Sequence, residues 1–177
     1  MTEWSSLIPS ITALSVPAVI AVVLTMLRPR LTRDARTMRR LLVAVGLTIC
    51  AQALHFVEEL VTELYLALPT TFGFPAAPRS LFVQINVTAL IVWAVALVGV
   101  RQGVVIALLP LWFLGFCEVL NLVLHPALAL WTGGYYPGVF TAPLVGALGI
   151  WTVVELTRAT ADTEPNAAQR NRMAFRV

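Results

Sequence analysis

His55-Phe56-Val57-Glu58-Glu59 puts an imidazole and two carboxylates within little more than one helical turn, inside a run of otherwise apolar residues. At about 100° per residue, Glu58 lies about 60° to one side of His55 and Glu59 about 40° to the other, and Gln52 and Glu63 extend the same polar stripe. A second set, Glu118, Asn121 and His125, recurs at spacings of three and four, so its side chains also share one helix face. An ionisable side chain in hydrocarbon is costly, and a carboxylate there needs a proton, a cation or a metal beside it. Imidazole and carboxylate together suit Zn²⁺ or Fe²⁺. The expected cofactor is therefore one divalent metal, with His55, Glu59 and His125 as ligands and Glu118 as a fourth ligand or an orienting, catalytic carboxylate. Glu58 is the expected general base, as in metal hydrolases whose catalytic glutamate neighbours the ligands.

The pattern is not the HExxH of zincins, nor does it hold the paired Glu-x-x-His repeats of a full di-iron bundle. Two readings without a metal stay open. In one, a protonated glutamate and a histidine act as acid and base on a lipid-like substrate entering from the bilayer, as a double-bond isomerase would. In the other, the same stripe serves a small transporter or proton relay, although the inner half offers few polar residues beyond Thr48 and Glu155.

The elements that must carry these residues follow from composition. Of 177 residues, 59% are apolar and 12% charged, against about 25% charged in an ordinary soluble domain. A soluble globule is excluded, and two cysteines make no disulfide scaffold. The net charge of +3 is spread too unevenly for a nucleic-acid footprint, so no nucleic-acid partner is expected. The apolar stretches run about Trp4 to Leu27, Leu41 to Leu68, Leu81 to Val100, Val104 to Leu130 and Val139 to Leu156. Each is near the length that crosses about 30 Å of hydrocarbon, and none shows the period-2 alternation of a barrel strand. The expected fold is all-α, a polytopic bundle of five transmembrane helices in one domain over residues 1–158, integral to the plasma membrane. Residues 159–177 read as a disordered basic cytoplasmic tail.

All twelve basic residues are arginine. Arg28, Arg30, Arg33, Arg36, Arg39 and Arg40 crowd the first connection, Arg101 sits in the third, and Arg158 and three more lie at or beyond the end of the last span. Only Arg79 falls on the other side, so the N-terminus is expected outside and the C-terminus inside. On that orientation His55 and Glu59 lie about 21 and 27 Å from the inner surface, and Glu118 and His125 about 21 and 32 Å, at about 1.5 Å per residue. Asn86 lies about 8 Å below the outer start of its span, on a face shared with Arg79 and Trp93. Gln52, Arg79, Asn86 and Asn121 are expected around the site. Tyr135 and Tyr136, in a Gly-Gly-Tyr-Tyr-Pro-Gly turn, are expected there as substrate contacts or as interfacial anchors. Glu155, three residues before Arg158, reads as half of an ion pair.

His-x-x-Glu-Glu within a membrane helix, followed by Glu118, Asn121 and His125, then Tyr-Tyr-Pro-Gly and a Thr-Ala-Pro start to the last helix, resembles the HXXEE-domain membrane proteins. The resemblance covers nearly the whole chain, residues 41–156 most clearly. His55, Glu58 and Glu59 match the family motif; Asn86, Glu118, Asn121 and His125 match its downstream polar positions, and Arg79 a family arginine. What the resemblance implies is a membrane enzyme or metal protein acting on no stated substrate.

Overall fold

A computed structural model of the chain describes residues 3–161, and among these every regular element is helical. A 3₁₀ turn, Glu3–Leu7, leads into α1 (Ile8–Leu27). There follow α2 (Ala35–Val61), a short α3 (Leu64–Thr71) and α4 (Arg79–Arg101). A second 3₁₀ turn, Val105–Ala107, opens α5 (Leu108–Thr132), and α6 (Ala142–Ala159) closes the bundle. The segments Trp4–Leu27, Ala35–Val61, Arg79–Arg101 and Val105–Thr132 are long and apolar enough to cross a membrane. Helix α6 has 18 residues, carries Glu155 and Arg158, and falls outside that set of four.

The second expected span is corrected at both ends. It begins at Ala35 rather than Leu41, because the Asp34 carboxylate accepts the Thr37 backbone N–H at 2.8 Å and its hydroxyl at 2.7 Å, an N-cap that starts the helix inside the arginine-rich stretch. It stops at Val61 rather than Leu68. Glu63 takes a left-handed conformation (φ 63°) and the Thr62 hydroxyl turns back to the Glu58 carbonyl, so the apolar run continues only as the separate α3. The third connection is a tight turn, with Gly103 at φ 81° and the Val104 N–H donating to the Gly99 carbonyl at 2.9 Å.

Lipid tails are as apolar as leucine, so helices in such a bundle associate through close packing and interhelical hydrogen bonds. Helix α6 shows how. It packs against α5 and α2, and a Cβ on Gly149 would stand 2.5 Å from the Glu118 Cβ, while one on Gly115 would stand 2.8 Å from a Val153 methyl. Gly146 presses on Leu122 in the same way. Beside that contact, the buried Thr152 and Thr48 hydroxyls bond at 2.8 Å, joining α6 to α2.

The first connection and the end of α6 meet at one end of the bundle, where the Thr32 N–H donates to the Ala159 carbonyl at 2.7 Å and an Arg28 guanidinium nitrogen to Thr157 at 3.2 Å. The large core lies in that half, built on Leu41, Val45, Trp112 and Leu156. At the other end Phe72, just past α3, meets Trp131 of α5, and Thr71 of α3 lies near Tyr136 in the segment after α5. The tail expected from residue 159 lies, beyond Ala161, outside the described residues.

Candidate metal centre

Gln52, His55 and Glu59 stand on α2 at i, i+3 and i+7, and Glu118, Asn121 and His125 repeat that spacing on α5. The helices ascend in the same sense, so Gln52 meets Glu118 and, two turns on, Glu59 meets His125. His55, Glu59, Glu118 and His125 are all buried, His55 and Glu118 at 0% exposure.

The upper layer converges on one oxygen. Glu59 Oε1 lies 3.3 Å from His55 Nε2 and 3.5 Å from His125 Nε2. The ligand atoms of the three residues all lie within 4.8 Å of one another, and the imidazoles meet edge to face with centroids 4.8 Å apart.

The segment joining α5 to α6 decides which nitrogens face this point. The Pro137 carbonyl is 2.6 Å from His125 Nδ1. A carbonyl only accepts, so Nδ1 carries the proton and Nε2 keeps its lone pair. The Thr141 hydroxyl donates to Glu58 Oε2 at 2.5 Å and so receives the Nδ1 proton of His55 at 2.6 Å. Both Nε2 atoms therefore direct a lone pair toward a carboxylate oxygen that is itself an acceptor. His55 Nε2 is buried with no hydrogen-bond partner. Acceptors buried together need a cation or a proton between them, and imidazoles whose other nitrogen is anchored on a carbonyl or carboxylate network are oriented as metal ligands are.

Glu58 faces the other way. Its carboxylate accepts the Tyr135 hydroxyl at 2.8 Å, the Phe140 N–H at 3.1 Å and the Thr141 N–H at 2.8 Å, besides the Thr141 hydroxyl. These amides precede α6, where a helix start leaves N–H groups unpaired and favours a negative charge. Outside the helices, burial raises the Tyr135 hydroxyl above the usual tyrosine pKa, and the facing Glu58 adds to the effect. Gly138, at φ 88°, lies so close under both rings that a Cβ there would be 2.5 Å from His125 Cε1 and 2.9 Å from His55 Cε1.

Below this layer Glu118 is held by two amides. With its amide oriented to donate, the Gln52 nitrogen lies 2.9 Å from each Glu118 oxygen, and Asn121 donates to Oε2 at 3.1 Å. Glu118 is not one of the three residues whose ligand atoms converge.

Of the other expected site residues, Tyr135 reaches the site through Glu58, whereas Tyr136 is buried against Leu64 and Leu128. The Asn86 amide turns back to the Phe82 carbonyl on its own helix, and Arg79 is exposed at the start of α4. Among the described residues neither bonds to the cluster. Glu155 and Arg158 do pair, at 2.6 Å. Residue type and spacing do not single out Thr141, the Pro137 carbonyl or Gly138 as site groups. Their one sequence signal is a Pro-Gly step and a threonine just ahead of an Ala-Pro helix start, which by itself specifies only a turn.

A family model described as "protein of unknown function with HXXEE motif" matches residues 46–152, a segment that includes both polar triads and the whole of the 133–141 connection. No curated protein and no solved structure matches the chain.

Proposed function

The chain belongs to the family of proteins with an HXXEE motif, and from that premise we propose that it is a membrane metalloenzyme whose ion is held by His55, Glu59 and His125. One observation carries the reading: two Nε2 lone pairs and one carboxylate oxygen meet in a buried space, with both Nδ1 protons committed elsewhere. Two histidines and one carboxylate form the ligand set of Zn²⁺ sites with an open coordination position and of non-haem Fe²⁺ sites. Such an ion, when bound, supplies Lewis acidity and activates oxygen ligands.

The chain's own residues divide the remaining work. The Pro137 carbonyl and Thr141 hydroxyl orient the imidazoles. Glu58, with four donors on its carboxylate, has few lone pairs left for a substrate proton, which supports a positioning role in place of the general base expected from the motif. Glu118, fixed by Gln52 and Asn121, is the carboxylate left to handle a proton. The substrate is an apolar or lipid-like molecule, because the cluster is buried among helices whose outer faces are apolar. Five spans with the site toward the outer surface fit the arginines, since Arg28 through Arg40, Arg101 and Arg158 gather at the end opposite His55.

A second reading rests on the same distances. Glu59 lies within reach of a proton shared with His55, as an acid and base pair acting without a metal would need. Elemental analysis of the purified protein separates the two. About one Zn or Fe per chain in the wild type and none in a folded His55→Ala, Glu59→Ala variant supports the metalloenzyme. A metal-free wild type after reconstitution with both ions overturns it in favour of acid and base chemistry.

A further inference from the structure

At the end of the bundle opposite the histidines, Arg36, Arg39 and Arg40 of α2 border a cavity of about 350 Å³ together with Val43 and with Trp151 of α6. All three arginines are exposed. Among the described residues none of them enters an ion pair. Asp34, close enough to attract Arg36, has its carboxylate already engaged by the Thr37 N–H and hydroxyl. Three like charges around one cavity repel each other, and no acidic residue is present in the first turn of α2 to offset them.

Along the same face the surface turns apolar. Val43 and Leu47 of α2 and Ile150 of α6 are each close to half exposed. Arg36, Arg40, Val43 and Leu47 follow one another at helical spacing, so cations outside any ion pair among the described residues sit directly above an apolar strip, with a tryptophan at the boundary where such rings settle in a bilayer. Guanidinium forks match phosphate oxygens in pairs, which a point charge does not. A free inorganic anion would use the cations and leave the strip bare; an amphiphile uses both.

We infer that Arg36, Arg39, Arg40 and Trp151 form a binding site for an anionic phospholipid, its phosphate among the guanidiniums and an acyl chain along Val43 and Leu47. The site is remote from the metal centre and stands or falls without it. Basic pockets between membrane helices take anionic headgroups in this way, and each juxtamembrane arginine contributes about a fivefold preference.

The test is native mass spectrometry of the full chain in mild detergent, given equal amounts of phosphatidylglycerol and phosphatidylcholine with identical acyl chains. The wild type is expected to retain phosphatidylglycerol in preference. Arg39→Gln lowers that preference about fivefold, and Arg36→Gln, Arg39→Gln, Arg40→Gln together on the order of a hundredfold. Arg101→Gln, at the same end but away from the cavity, leaves it unchanged. Circular dichroism and elution volume establish folding, and if the triple variant misfolds the single variant decides. Equal retention of both lipids by the wild type, or a preference lost with Arg101 and kept without Arg39, overturns the site. So does displacement of the lipid by millimolar inorganic phosphate, which would make the ligand a free anion.

Discussion

At one end of the bundle His55 and His125 are buried around one oxygen of the buried Glu59, and the Nδ1 atoms of the two rings are tied to Thr141 and Pro137. At the other, Arg36, Arg39, Arg40 and Arg101 are exposed and free of ion pairs among the described residues. The difference lies in how charge is tolerated. Buried acceptors depend on each other and on whatever cation they share, so removing one leaves the others uncompensated. Exposed guanidiniums depend on water or lipid headgroups, and each contributes separately. Substitutions at the buried end should therefore be large and coupled, and those at the exposed end small and additive.

The largest effect is expected from Glu59→Ala or His125→Ala. Metal content should fall from about one ion per chain to none by elemental analysis, a greater loss than the roughly 10- to 100-fold typical of groups behind the ligands. Retention of a full equivalent of metal by either variant would remove the buried end's special character.

Gly138→Ala sharpens the contrast within one segment. The left-handed backbone costs about 1–2 kcal/mol with a Cβ, and forcing that atom against both imidazoles adds about 1–3 kcal/mol. Gly133, at φ 75° with nothing within 4 Å of its would-be Cβ, should show only the first term as Gly133→Ala. Thermal unfolding in detergent compares the two, and equal shifts would break the argument.

Thr141→Val removes the hydroxyl between His55 and Glu58. Metal affinity should weaken about 10- to 100-fold, with Thr141→Ser restoring it. An unchanged affinity by competitive chelation would mean that the Nδ1 anchor does not set the tautomer.

Thr48→Val breaks the bond to Thr152 in the middle of the bundle, at an expected loss of about 0.6 kcal/mol in unfolding measurements. A loss several times larger would extend the coupled behaviour well below the site.

The smallest effect concerns pH. Burial, with Glu58 beside it, raises the Tyr135 pKa above its ordinary value of 10.0. The folded chain then holds a proton that the unfolded chain has released, so stability should fall as pH rises from about 10 toward the folded-state pKa. In Tyr135→Phe this part of the pH slope should vanish, and a slope identical to the wild type would assign it to another group.

Much of the candidate site's geometry is legible before any folding. The spacing 55, 58, 59 implies a ligand face and a second carboxylate beside it, and the rise per residue brings Glu118 and His125 to the depth of His55 and Glu59. The same arithmetic put Asn86 and Arg79 near the site, but depth and face say nothing about which neighbour a helix turns toward, and the Asn86 amide bonds to its own helix. Hydropathy also ran through the break at Thr62-Glu63, because an apolar count does not register one residue adopting a left-handed backbone.

What the sequence by itself determined is therefore local and periodic: apolar lengths suited to a membrane, a polar face on each of two helices, and basic connections gathered toward one end. Tertiary structure alone decided that the two polar faces meet in parallel, and that Glu58 grips a loop while Glu59 enters the cluster. It also decided the histidine tautomers, through a carbonyl at Pro137 and a hydroxyl at Thr141, 86 residues from the ring it receives. Periodicity fixes a side chain's direction about its own helix axis, whereas a proton's place on an imidazole depends on the acceptor that the rest of the chain brings to it.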